Sequence, residues 1–541
     1  MTNCTKYTLS ICLILFVVLF AVAASPASAS RPNIVVILAD DLGWSDVGAY
    51  GGEIKTPNLD ALARDGLRYT QFYNAGRCWP TRASILTGYY AQQIRMDPPS
   101  GPLPTWARIV ASPLKRLGYR TYHSGKWHVF AAPRPVADGG FDHSYHVVTQ
   151  DRFFSPLKTA LDDRSLARPE PGSGYYTTTA IADYAIKFLS EHEQQHADKP
   201  FFLYVAFTAP HFPLHALQKD IDHYRETYKM GWDAIRAQRH ARLQALGLYE
   251  GPLPPLEPNY KPAWNLPPRK LEQIFGPGTV ATAVPWNTLT PEQKAFQARK
   301  MAIHAAMVDR MDREIGRLVE TLKKMGVFEK TVILFLSDNG ASAEQIVRDD
   351  GHDGKAPAGS ARTYLLIGPG WSSAANTPLR LHKSWVHEGG VATPLIVHWP
   401  EGIRAKGALR HALGHTVDIP VTLLDLAGGH VSDLPARKDA PRPPGKSLIP
   451  TFNVHQAPLH QFVFFSHIDN RALRQGKWKL VRSKRMQSWA LYDMSADRAE
   501  QHDLASHYPD RVMKMARMWE KLNAKFKQDA ERTRESSRPP N

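Results

Sequence analysis

Short apolar runs rich in β-branched residues alternate along the chain with longer stretches whose apolar positions recur every three or four residues. That alternation predicts an α/β fold built on a large mixed, mostly parallel sheet flanked by helices. Residues 33–39 (NIVVILA) read as a buried strand, and 119–123, 201–207 (FFLYVAF), 331–336 (TVILFL) and 394–398 as further strands. Between the first two, Thr56 as N-cap, Pro57 at the first helical position and Gly66 as the stop bracket a helix. Over 301–325, Met301, His304, Met307, Val308, Met311, Ile315, Leu318 and Leu322 share one helical face, so this stretch is a helix covering the sheet and its methionines are core.

The ends of the chain break the pattern. Lys6 precedes an apolar run over 11–24 that closes on Ala27-Ser28-Ala29, an A-x-A cleavage site, so residues 1–29 read as a secretory signal peptide and the chain as exported, periplasmic or extracellular. The run falls short of the roughly 20 residues a stable membrane span needs. Residues 30–430 form the large α/β domain, with a Pro-rich insertion at 251–268 lying over it, and 431–450 is a Pro-rich linker. Beyond it, antiparallel strands over 471–481 and 489–493 and a helix over 509–526 predict a small C-terminal α+β subdomain spanning 451–530, and 531–541 read as a disordered tail.

With 541 residues, 43% hydrophobic and 22% charged, the chain is an ordinary globular protein, which excludes wholesale disorder. Its formal charge of +16 becomes +15 once Lys6 leaves with the signal. The charge is spread without a nucleic-acid-binding motif, so it favours anionic partners of another kind. Of three cysteines, Cys4 and Cys12 lie in the signal, leaving Cys78 without a partner in the mature chain.

Polar clusters follow four of the predicted strands: Asp40-Asp41, Lys126 with His128, His211, and Asp338-Asn339. Each alone reads as a turn or a core histidine; their repeated position suggests one site, because open α/β sheets bind ligands outside the carboxyl ends of their strands. Three carboxylates and an amide oxygen are hard ligands, suited to Ca²⁺ or Mg²⁺. Lys126, Lys383 and Arg82 add positive charge and the histidines can move protons, a set that fits a tetrahedral anionic ester, sulfate or phosphate.

Cys78-Trp79-Pro80-Thr81-Arg82, followed by Leu86-Thr87-Gly88, resembles the CxPxR…LTG signature of the type I sulfatases of the alkaline-phosphatase-like superfamily. The resemblance continues through RPNIVVILADDLGWSDVG, GYRTYHSGKWH, TAPHFPLH, LFLSDNG, HKSWVHEGGVATPLIVHWP and NRALRQGKWKLV, in family order over nearly the whole mature chain. It implies an alkaline-phosphatase-like fold over the 30–430 domain and a formylglycine made by a maturation enzyme from Cys78. One Ca²⁺, with Mg²⁺ as the other hard cation that suits the set, would be held by Asp40, Asp41, Asp338, Asn339 and the modified Cys78. Arg82 would steady the formylglycine, Lys126, Lys383 and His211 would grip sulfate, His211 or Lys383 would protonate the leaving oxygen, and His128 would be the base that collapses the covalent intermediate. A sulfated small molecule or saccharide is the implied partner.

Val129-Phe130 and His467-Ile468-Asp469-Asn470 depart from the pattern, and the long 215–297 segment is expected to shape the entrance. His215, His387 and His467 are candidate substrate contacts. Two other readings stand beside the sulfatase: a phosphoester or phosphonate monoester hydrolase on the same fold, with His352 and Asp353 as ligands of a second metal, and a non-catalytic protein binding sulfated glycans through its basic charge.

Overall fold

The computed structural model describes residues 31–149, 152–348, 351–455 and 459–535; the signal segment with Cys4 and Cys12, and residues 536–541, lie outside them. In chain order the strands are β1 (Asn33–Ala39), β2 (Leu67–Tyr69), β3 (Phe72–Tyr73), β4 (Arg120–Lys126), β5 (His143–Val147), β6 (Thr159–Leu161), β7 (Arg164–Ser165) and β8 (Phe201–Ala206). Then come β9 (Thr331–Ser337), β10 (Leu395–His398), β11 (Ala408–Arg410), β12 (Gly414–His415), β13 (Phe462–His467), β14 (Asn470–Gln475), β15 (Trp478–Arg482) and β16 (Ala490–Asp493). Ten of them form one mixed sheet in the order β11-β2-β10-β9-β1-β8-β4-β5-β6-β7. Its centre is parallel: Val35 of β1 lies between Leu203 of β8 and Ile333 of β9, and β4 continues the parallel run between β8 and β5. The 394–398 segment joins this sheet antiparallel to β9.

The period of two along β1 divides the interior. Ile34, Val36 and Leu38 enter one core with the Cys78–Thr87 and Asp418–Leu426 helices, while Val35, Ile37 and Ala39 enter the other with the Pro291–Lys324 helix. Fully burying each such aliphatic side chain contributes about 1.5–3 kcal/mol, and a strand buried on both faces has no polar position to show. The Pro291–Lys324 helix begins ten residues before the predicted 301. Thr290 caps it, accepting at its hydroxyl from the Gln293 amide at 3.2 Å and donating from its own amide to Gln293 Oε1 at 3.0 Å, with Pro291 in the first turn.

β4 also outruns its predicted 119–123. Ser124 and Gly125 still pair with Val205 and Ala206, but the polar S-G-K sequence hides this from hydropathy. Only glycine fits at 125, where φ is +124° and a Cβ would fall 1.9 Å from the Ala206 carbonyl oxygen.

β13 to β16 form a four-stranded antiparallel sheet in sequential order, backed by a helix over Pro509–Glu535. β13 has no counterpart in the sequence reading. The helix runs on to Glu535, past the expected start of the tail at 531, and is tied down just before that point: Arg95 donates to the Ala530 carbonyl at 2.9 Å and Gln93 to Asp529 at 3.1 Å. The 431–450 segment lies on the domain, burying Leu434 and Leu448 and accepting a hydrogen bond from Tyr89 at the Pro441 carbonyl. Among the described residues no helix is long and apolar enough to cross a membrane.

Candidate active site

Adjacent strands β9, β1, β8 and β4 each end in functional groups, so sheet order brings together residues far apart in sequence. Ala39 and Ser337 are in register, and the Asp338 amide donates to the Ala39 carbonyl at 3.1 Å; Asp40-Asp41 therefore stands beside Asp338-Asn339. The Asp40 amide donates to the Ala209 carbonyl at 3.0 Å, drawing in the turn that carries His211. Lys126 closes β4, and His128 follows with φ +56°.

Cys78 opens its helix at the amino end, and Arg82 lies one turn on, on the same side. The buried Arg82 donates to Asp338 Oδ2 at 2.9 Å through Nε and to the Lys126 carbonyl at 2.8 Å through Nη1. Lys126 Nζ meets Asp40 at 2.6 Å, and Lys383 Nζ meets Asp41 at 2.7 Å and Glu344 at 3.6 Å. His211 Nε2 stands 3.6 Å from Asp41, and its Nδ1 donates to the Phe212 carbonyl. Asp40, Asp41, Cys78, Arg82, Lys126, His128, His211, Asp338, Asn339 and Lys383 thus gather in one cluster, buried except for the half-buried His128.

The cluster suits a hard cation. The ligand atoms of Asp40, Cys78 and Asp338 lie within 4.8 Å of one another, as do those of Asp40, Asp41 and His211. Asp40 Oδ1 and Asn339 Oδ1 are buried without a hydrogen-bond partner, which is costly for a polar atom unless something else binds it. Burial and then the neighbouring Asp40 push the Asp338 carboxyl up to about 7. Crowded negative charge and two orphaned oxygens are what a divalent ion would relieve.

The proton states are set by the same neighbours. Burial, then Lys126, Arg82, His211 and Lys383, push His128 far below its ordinary range, so it is a neutral base. Burial and Lys383 do the same to His211. Lys383 is the opposite case: against burial, Asp41 and Glu344 hold it firmly protonated. Burial pushes the Cys78 thiol up, partly offset by Lys126 and Lys383, so the encoded side chain is a neutral thiol and a poor nucleophile.

Arg77 and Glu344 were not foreseen. Arg77 stands just before the Cys78 helix, pairs with Glu344 at 3.3 Å and packs against the rings of Trp79 and Trp264. Trp264, from the Pro-rich insertion, donates to Glu344 at 2.7 Å, so this segment braces the Lys383 side of the site. Glu344 sits in an irregular stretch with no periodicity to mark it; the sequence signal for Arg77 was only its adjacency to Cys78. His215 is a packing residue, bonded to the Thr363 carbonyl at 2.7 Å among Phe153, Phe154 and Tyr176. His387 is fully buried, and His467, held by Asp97 at 3.0 Å, stands edge-on to Trp79. His352 bonds the Tyr364 amide and Asp353 pairs with Arg362, outside both groups of potential metal ligands among the described residues. A cavity of about 300 Å³ opens from Lys126 and His128 outward past Phe130.

Residues 32–429 match the sulfatase family model, and 380–529 match the model of the C-terminal region of N-sulphoglucosamine sulphohydrolase. The chain is 32% identical to an uncharacterized sulfatase of Schizosaccharomyces pombe over 91% of this chain and 93% of that one. It is 32% identical to an arylsulfatase of Klebsiella aerogenes, over 76% of this chain and 89% of that one. Its fold is similar to a solved structure in complex with its substrate D-glucosamine-2-N,6-O-disulfate, with a TM-score of 0.63 at 20% identity, covering 92% of this chain and 98% of that one.

Proposed function

The chain belongs to the sulfatase family and is a sulfuric ester hydrolase, and on that premise we propose that it cleaves an aryl or saccharide sulfate with a formylglycine made from Cys78 and one bound Ca²⁺. The observation that carries this reading is the approach of Asp40, Cys78 and Asp338 ligand atoms to within 4.8 Å of one another beside two orphaned oxygens, ringed by Arg82, Lys126 and Lys383. A neutral buried thiol has little reactivity of its own, which favours a modified side chain at this position.

Asp40, Asp41, Asp338 and Asn339, with residue 78, would hold the cation, which when bound polarises a sulfate oxygen and lowers the proton affinity of a hydroxyl beside it. A formylglycine at residue 78 would, when hydrated, supply two hydroxyls on one carbon, a nucleophile and a second group able to give up a proton. Arg82, fixed at both ends by Asp338 and the Lys126 carbonyl, holds the start of the Cys78 helix in place. Lys126 and Lys383 neutralise the ester's oxygens. His211 is neutral until an anion arrives to favour its charged form. It then donates from Nε2 to the leaving oxygen, while Nδ1 stays anchored on Phe212. His128, neutral at the opposite strand end, accepts the proton released when sulfate departs. The chain is exported through its 1–29 signal, to the periplasm or beyond, and meets its maturation enzyme on the way.

Sulfate release from an aryl sulfate and from a saccharide sulfate, by protein exported from a host with the maturation machinery, tests the reading. Asp338→Ala is expected to lose both the cation, by elemental analysis, and activity. Stoichiometric zinc, or full activity after thorough demetallation, contradicts the assignment.

A further inference from the structure

The cavity that leaves the site past His128 is walled mainly by hydrocarbon: Val129, Phe130, Pro133, Val147 and Val148 line it. Phe130 is 52% exposed and Val148 40%, so part of this apolar wall faces solvent. Its position is fixed by its neighbours rather than by burial. The ring meets His128 edge-on at 4.7 Å between centroids and Trp79, the residue after Cys78, at 6.3 Å.

Lys126 and His128 line the cavity and belong to the catalytic cluster, so the cavity adjoins the place where sulfate would be held. The polar side chains left to it are His146, Thr149 and Arg348. A polyhydroxylated ring needs several placed donors and acceptors, and loses hydrogen bonds to water wherever they are lacking. A flat apolar ring needs only a face to stack on, which Phe130 offers. At about 300 Å³ the cavity lies at the small end of ligand sites, room for one ring or two fused ones.

We infer that Phe130 is a specificity-determining residue, the shelf on which an aromatic leaving group lies while its sulfate is held at the Cys78 cluster. The inference rests on the sulfatase reading and narrows it to aryl sulfates. Its test pairs binding with turnover. Calorimetry with 2-naphthol measures the shelf without any chemistry, and kcat/KM for 2-naphthyl sulfate over N-acetylglucosamine 6-sulfate measures preference. Phe130→Ala is expected to weaken naphthol binding about tenfold and lower the aryl preference by a similar factor, the worth of one good aromatic contact. Phe130→Tyr should retain both. Naphthol binding indifferent to Phe130→Ala overturns the inference, and so does a wild type that prefers the saccharide ester. Naphthol binding without turnover of either ester removes the sulfatase reading, and with it the assignment of this cavity to a leaving group.

Discussion

His211 and Lys383 both face Asp41, yet burial leaves the histidine neutral while Asp41 and Glu344 keep the lysine charged. The difference predicts how their loss will read. If His211 takes up a proton on ester binding and donates it, His211→Ala should slow saccharide sulfates by about 10²- to 10⁴-fold, the usual worth of general acid help. An aryl sulfate whose phenolate leaves unaided should suffer far less. Steady-state kinetics with two esters of different leaving-group pKa decide it, and an even loss across both leaves the donor role to Lys383. At this scale the sequence was informative where a residue follows a strand: Asp40, His211 and Asp338 stand out because polar groups abut apolar runs. Glu344 was invisible, since nothing periodic surrounds it and its role arises from Lys383 and Arg77, which reach it through space.

Among the elements, β1, β8 and β9 were legible because both their faces are buried, which writes them as unbroken apolar runs. β4 was half hidden by its polar end, and β2 and β11 are too short to leave a pattern. The C-terminal sheet is tied to the domain through Lys479 of β15, which is fully buried between Glu388 at 2.8 Å and Glu500 at 2.9 Å. Glu388 lies five residues after Lys383, so this link also supports a wall of the site. Lys479→Met would take from two buried carboxylates the cation they share, leaving Glu388 with Arg498 at 3.5 Å and the Tyr73 hydroxyl at 3.0 Å, and a loss of about 3–5 kcal/mol in urea unfolding is expected. A loss under about 1 kcal/mol would mean that the apolar contacts and the remaining polar ties, such as Arg474 to Tyr73 at 3.1 Å and Asn470 to the Ser384 carbonyl at 2.8 Å, hold the sheet without this ion pair.

For the molecule as a whole, two cores sandwich one sheet, and charged networks run through the interior as well as the site. Asp46 is the clearest case: it accepts from Gly43, Arg239 and His304 at 2.8–3.0 Å. Burial works against its charge, but His304 and Arg239 prevail and hold the carboxyl down to about 2. A depressed carboxyl stabilises the fold above its unfolded pKa of about 3.9 and loses that contribution as pH falls toward its folded value. The stability difference between wild type and Asp46→Asn should therefore shrink by about 1 kcal/mol from pH ~5 to pH ~3, measured by urea unfolding at each pH. A difference that stays constant would show that Asp46 acts through packing and neutral hydrogen bonds.

The central claim is that residue 78 is the modified nucleophile of a sulfuric ester hydrolase. Peptide mass spectrometry of active protein, exported from a host with the maturation machinery, tests it directly. The account predicts formylglycine at position 78 in a fraction of molecules that tracks specific activity from batch to batch, and no activity in Cys78→Ala. Fully active protein whose Cys78 peptide carries only an unmodified thiol would contradict it.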